Sequence, residues 1–288
     1  MKTCVSSYSF SKLTNSGEYD QLSIIKLAKE IGFDGIEFTQ LAPPKGITPM
    51  EYALMLKEEC AKNKLEIVNY TIGAEILNAE NLDKEVERLC DEIDVAALLG
   101  VKGMRHDATG GYKGADKSFK GFDQALHVLV EGCRRITDYA VDKGIKTMVE
   151  NHGFFCQDSE RVEKLVTNVG KENFGVLVDV GNFLCVDESP CVAVGRLAPF
   201  AKHVHVKDFH VKSGNEDNPG NGFFTSRGGN YLRGSIIGHG NVPVRQCLSI
   251  LKKSGYDGYI SIEFEGLEEP IMALETGLEN LKRFISEI

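Results

Sequence analysis

Eight short apolar runs, most of them separated by helical patterns, leave this chain few architectures to choose from. The runs fall near residues 2–6, 34–38, 65–70, 101–106, 145–150, 174–179, 202–206 and 259–263, and their length and composition predict strands. Helical patterns at 20–31, 50–62, 82–99, 120–143, 157–169 and 244–254 lie between them, Pro190–Leu197 leaves room for a short helix, and 269–287 predicts a last one over the closing seam. Strand and helix in this alternation predict an α/β fold, a closed parallel (β/α)8 barrel. Glycines 32, 100, 144 and 255 close four of the helical stretches, where a left-handed cap suits glycine. The segments IGFDGIEF (31–38) and SGYDGYISIEF (254–264) resemble one another, as one helix-cap-strand unit used twice would.

Size and charge narrow the function. A chain of 288 residues is within reach of a single barrel domain, 1–288, with ample core. The net charge of −9 offers no basic stripe to neutralise phosphates, so nucleic acid is not expected as a partner. The eight cysteines stand singly, with no CxxC and no secretion signal before them, and reduced thiols in a cytoplasmic protein are the expectation. No run has the apolar length of a membrane span, so no membrane association is expected.

Four of the runs end on a side chain able to bind metal: TMVE at Glu150, VLVD at Asp179, HVHV at His205 and ISIE at Glu263. Every strand of a parallel barrel ends on the same rim, so residues distant in sequence converge there. Singly, each carboxylate is as readily a helix cap or an exposed loop charge. Jointly, three buried carboxylates repel one another and destabilise the fold without a cation. Three oxygen ligands and an imidazole suit one divalent ion, manganese expected first, with cobalt, magnesium or zinc as alternatives.

The series VENHG, VLVDVGN, HVHVKD and GYISIEFEG, in order along strands five to eight, resembles the xylose isomerase-like TIM barrel superfamily. That superfamily includes sugar isomerases, tagatose and psicose 3-epimerases, inosose dehydratase and endonuclease IV. The resemblance covers nearly the whole chain. It implies Glu150, Asp179, His205 and Glu263 as ligands of one metal, with Glu150 and Glu263 as the catalytic pair that moves protons on opposite faces of a sugar. The expected activity is therefore a divalent-metal-dependent isomerase or epimerase of a small sugar or sugar derivative, working by proton abstraction next to a carbonyl through a metal-stabilised enediolate. The alternative is a dehydratase or other lyase of a keto-sugar or keto-inositol, because Lys207 and Asp208 resemble the HxHxKD segment of inosose dehydratase-like members. A noncatalytic sugar-binding or scaffold role is third. Where endonuclease IV-like members carry an extra histidine after the strand-six aspartate, this chain has Asn182, which supplies a trinuclear zinc site poorly. Relatives of this kind imply a homodimer or homotetramer.

Further polar residues are candidate substrate contacts. His203 shares a strand face with His205 and is expected deeper in the barrel. His152 is placed to orient a substrate hydroxyl or to serve as a cap. His106, beside Asp107, is either a substrate contact or part of a polar rim pair. His239 and Arg233 are candidates for metal or substrate and for a substrate oxyanion, and Lys207 for the leaving hydroxyl. His127 lies within a helix and is expected to be structural. The Gly- and Asn-rich stretch 209–240 begins after a barrel strand, which predicts an active-site lid, with a subunit contact or disordered excursion as the alternatives.

Overall fold

The computed structural model describes residues 1–288, the side chain of Asp116 excepted. Eight strands close a parallel barrel: β1 (Lys2–Ser6), β2 (Gly35–Thr39), β3 (Glu66–Ile72), β4 (Gly103–His106), β5 (Lys146–Glu150), β6 (Phe174–Asp179), β7 (Ala201–Val206) and, after a three-stranded excursion, β11 (Tyr259–Ile262). The ring closes by β1 pairing with β11, Lys2 opposite Tyr259 and Val5 opposite Ile262.

Helices wrap the barrel in chain order: α1 (Ser11–Asn15), α2 (Ser23–Ile31), α3 (Pro49–Asn63), α4 (Leu82–Leu99), α5 (Phe122–Val141), α6 (Ser159–Val169), α7 (Pro190–Leu197), α8 (Val244–Lys253) and α9 (Pro270–Ser286). Local chemistry sets their ends. Thr48 and Glu51 form a reciprocal capping box with Pro49 at the first helical position, satisfying N–H groups that a helix start leaves open. Gly32 at φ 104° and Gly100 at φ 86° close α2 and α4 in the left-handed region, where any side chain is strained. Helix faces that carry Ile24, Ile25, Leu56, Ile93, Ile136, Leu165 and Leu248 are fully buried against the strands, at roughly 1.5–3 kcal/mol each. Helix α9 packs on β1 and β11, so the seam is covered as the sequence predicts. The short helix α1 was not anticipated; it follows β1 directly through a 3-10 turn, Ser7–Phe10.

The stretch expected as a lid is folded. Strands β8 (Asp208–Lys212), β9 (Phe224–Thr225) and β10 (Tyr231–Ser235) form an antiparallel sheet in the order β8-β10-β9. Both ends of this excursion meet at the Asp208 carboxylate, which accepts the backbone N–H groups of Phe209, Gly238, Gly240 and Val242 at 2.9–3.0 Å. Its far end docks onto the loops that follow β5 and β6. Arg227 pairs with Asp158 and donates to the Phe154 carbonyl, while Ser226, Gly228 and Asn230 donate to Asp187. Among the described residues no helix is long and apolar enough to cross a membrane.

Candidate metal centre

Strand ends bring four distant residues together. Glu150 ends β5, Asp179 ends β6, His205 lies in β7 and Glu263 follows β11. Asp179 and His205 are register partners across β6 and β7, and the Glu263 N–H donates to the Val206 carbonyl, which extends the β11 pairing. One donor atom from each of the four lies within 4.8 Å of all the others, and all four side chains are buried.

Each ligand candidate is held from outside the cluster. Glu150 Oε2 lies 2.6 Å from Arg105 Nη2, and its Oε1 accepts from Asn182 Nδ2 at 3.0 Å. Asp179 Oδ1 accepts the N–H groups of Gly181 and Asn182 at 2.8 and 3.0 Å. Glu263 Oε2 lies 2.8 Å from Lys207 Nζ, which is also 3.6 Å from Asp179 Oδ2 and from Glu265 Oε2. His205 Nε2 lies 2.5 Å from Glu37 Oε1, turning Nδ1 toward Glu263 Oε2 at 3.7 Å and Glu150 Oε1 at 4.0 Å.

Two buried atoms inside the cluster, Asp179 Oδ2 and His205 Nδ1, have no hydrogen-bond partner. Buried polar atoms without partners are costly, and these two face the same centre as the carboxylates of Glu150 and Glu263. Three carboxylates and a ring nitrogen so arranged fit a divalent cation, and the Glu37–His205 contact is the outer support such a histidine uses. Burial, with repulsion from Glu150 and Glu263, pushes the Asp179 carboxyl up to about 6 despite Lys207 and His205. At Glu263 burial acts upward too, yet Lys207 and His205 outweigh it and hold the carboxyl well below its usual range. Burial opposes charge on His205 and Lys207, but Glu37 and Glu263 raise the first well above the ordinary imidazole value, and Glu263, Glu265 and Asp179 raise the second. The cluster is negative enough to hold a proton on His205 or a cation in its place.

A cavity of about 400 Å³ opens over these residues, walled by Tyr8, Arg105, Glu150, His152, Lys207, Glu263 and Glu265 among others, within the size range of small-molecule sites. His152 stands on its wall with Nδ1 3.0 Å from Asp107 Oδ1. Lys207 reaches the cavity as well. His203 lies deeper, its Nε2 2.8 Å from Ser261 Oγ and 2.9 Å from Glu37 Oε2.

Three candidate contacts are not brought to this cavity. Successive strand residues face opposite ways, and on β4 it is Arg105 that points inward; His106 is fully buried, its Nδ1 at the Asp107 carbonyl and its ring near Phe174. Arg233 sits opposite His210 in the excursion's sheet, pairs with Glu268 at 3.2 Å and lies over the Phe223 ring. His239 is exposed in the turn after β10. No residue of 209–240 lines the cavity. Conversely, Glu37, Arg105 and Glu265 belong to the site and were missed. For Glu37 a signal existed: the two resembling segments align Ile36-Glu37-Phe38 with Ile262-Glu263-Phe264.

Comparison with known proteins agrees with the barrel. The model of the xylose isomerase-like TIM barrel family matches residues 25–284. Inosose dehydratase of Lacticaseibacillus casei is 25% identical over 144 residues, 50% of this chain and 48% of that protein, so the match spans about half of its length. Inosose dehydratase 1 of Bacillus cereus is 23% identical over 274 residues, 89% of this chain and 85% of that one. Among solved structures, the IOLI protein with a bound zinc atom superposes with a TM-score of 0.75 at 18% identity, covering 100% of this chain and 99% of that one, a likeness of fold.

Proposed function

Because the chain belongs to the xylose isomerase-like TIM barrel family, we propose that it is a divalent-metal-dependent enzyme of a small keto-sugar or keto-cyclitol, and that it removes water from it. Glu150, Asp179, His205 and Glu263 would hold the ion, which when bound supplies Lewis-acid polarisation of a substrate carbonyl. The observation that carries the reading is Lys207. Its ammonium stands 2.8 Å from Glu263 on the wall of the same cavity as Glu150, and the surrounding carboxylates keep it protonated. In this reading Glu150 takes the proton from the carbon next to the carbonyl and Lys207 gives one to the departing hydroxyl, so that a C–H and a C–OH bond are exchanged for C=C and water. His152 and Arg105, also on the wall, bind and orient the substrate oxygens. The inosose dehydratase names of the two relatives support this outcome.

The second reading is an isomerase or epimerase, favoured by one feature: Glu150 and Glu263 both face the cavity. Lys207 separates the two readings. Protein loaded with manganese and given a panel of ketoses and keto-inositols in deuterated water is expected to yield a product lighter by one water. Lys207→Met is expected to lower water loss far more than deuterium uptake at the carbon next to the carbonyl. An isomer that has lost no water, its mass changed only by solvent deuterium and formed equally by the variant, overturns the dehydratase reading.

A further inference from the structure

The chain carries eight free cysteines, six buried and two, Cys90 and Cys191, partly exposed. Among the described residues, one pair of thiols touches: Cys191 Sγ lies 3.9 Å from Cys247 Sγ. The first is the second residue of α7 and the second lies in the first turn of α8, and these helices pack side by side. A disulfide needs the sulfurs about 2.05 Å apart, a closure of roughly 1.9 Å from their present contact. The two thiols differ in access. Cys191 is partly exposed, while Cys247 is fully buried.

We propose that Cys191 and Cys247 are a redox pair that a hydroperoxide converts to a disulfide, tying α7 to α8. The chemistry balances with hydrogen peroxide as the oxidant. The Cys191 thiolate attacks one peroxide oxygen, so that an S–O bond forms, the O–O bond breaks, and the leaving hydroxide takes up a proton to become water; sulfur is oxidised by two electrons to the sulfenic acid. The Cys247 sulfur then displaces the sulfenic oxygen, forming S–S, breaking S–O and releasing a second water, its thiol proton leaving with that oxygen. Overall, two thiols and one peroxide give one disulfide and two waters. Burial and the neighbouring Cys191 hold the Cys247 thiol up, which assigns the first attack to Cys191.

The position of the pair gives the bond a consequence at the cavity. Helix α7 leads into β7, which carries His205, and α8 leads into β11, after which Glu263 follows. The bond therefore encloses β7 and the whole antiparallel excursion in one covalent loop, 191–247, and fastens the helices behind two of the proposed ligand strands.

The test is intact mass and peptide mapping of the folded protein exposed to a small molar excess of hydrogen peroxide, with remaining thiols alkylated under denaturing conditions. The expected result is loss of two hydrogens per chain, a cross-linked peptide joining Cys191 and Cys247, reversal by dithiothreitol, and a higher thermal midpoint for the oxidised form. Cys247→Ser is expected to stop at a sulfenic or sulfinic acid on Cys191, and Cys191→Ser to leave residue 247 unmodified. Stable overoxidation of Cys191 in the wild-type chain without the cross-link, or a bond between other cysteines, overturns the proposal.

Discussion

Replacing Glu37 by glutamine tests how the imidazole at the metal centre is aimed. Glu37 is fully buried, with Oε1 2.5 Å from His205 Nε2 and Oε2 2.9 Å from His203 Nε2. Glutamine keeps the shape and removes the charge. It then presents either a neutral oxygen or an N–H to a ring whose Nδ1 faces Glu150 and Glu263. Loss of such an outer partner lowers metal affinity about 10–100-fold, roughly 1.4–2.8 kcal/mol, in line with about 1.5–3 kcal/mol for a hydrogen bond to a charged group. Manganese titration by calorimetry or by electron paramagnetic resonance measures it directly, without substrate. Long-range attraction between a carboxylate and a cation predicts a smaller loss that any nearby carboxylate shares. Glu265→Gln is the control: it removes one negative charge from the cavity wall, 3.6 Å from Lys207, and leaves His205 untouched. Equal losses in the two variants would refute orientation of His205 as the cause, and unchanged affinity in Glu37→Gln would remove Glu37 from the centre altogether.

Two expectations concern the antiparallel excursion. Asp208→Ala leaves four backbone N–H groups without their acceptor, those of Phe209 and Val242 in buried positions, at about 1–3 kcal/mol for each one that water does not reach; the thermal midpoint should fall and hydrogen exchange rise across 209–242, and protection unchanged there would contradict the role given to this carboxylate. Hydrogen bonds from Ser226, Asn230 and Gly228, with the Arg227 charge, outweigh burial and hold the Asp187 carboxyl below its usual range. A depressed carboxyl stabilises above its unfolded value, about 3.9, and loses that contribution as pH falls toward the folded one. Protection at residues 224–231, taken from the exchange rate relative to that of an unstructured chain at the same pH, should therefore fall below about pH 4, and Asp187→Asn should abolish that fall; an acid response that survives the substitution assigns it elsewhere.

The barrel was legible because its strands are short apolar runs with strong helical periods between them, and β5 and β6 end on Glu150 and Asp179 where the runs do. The fourth strand shows the limit. Its four residues, Gly103-Met104-Arg105-His106, have no alternation of polar and apolar, so nothing in them says which of two adjacent basic side chains faces inward; the register with β5 decides for Arg105. Glu37 is legible only through the likeness of its segment to the one that carries Glu263, and its partners, the two histidines of β7, come from a strand far along the chain. Arg233 and His239 were misplaced for a different reason. Glycine and asparagine at 213–222 hide an antiparallel sheet whose pairing sets Arg233 opposite His210, and His239 falls in the exposed turn that follows it.

The excursion is fastened to the scaffold at two places, its feet at Asp208 and its far end at Asp158 and Asp187, and the exposed 213–222 tip takes part in neither. The tip is accordingly the place on this molecule to graft a tag, a reporter or a second module while the ring beneath keeps its shape.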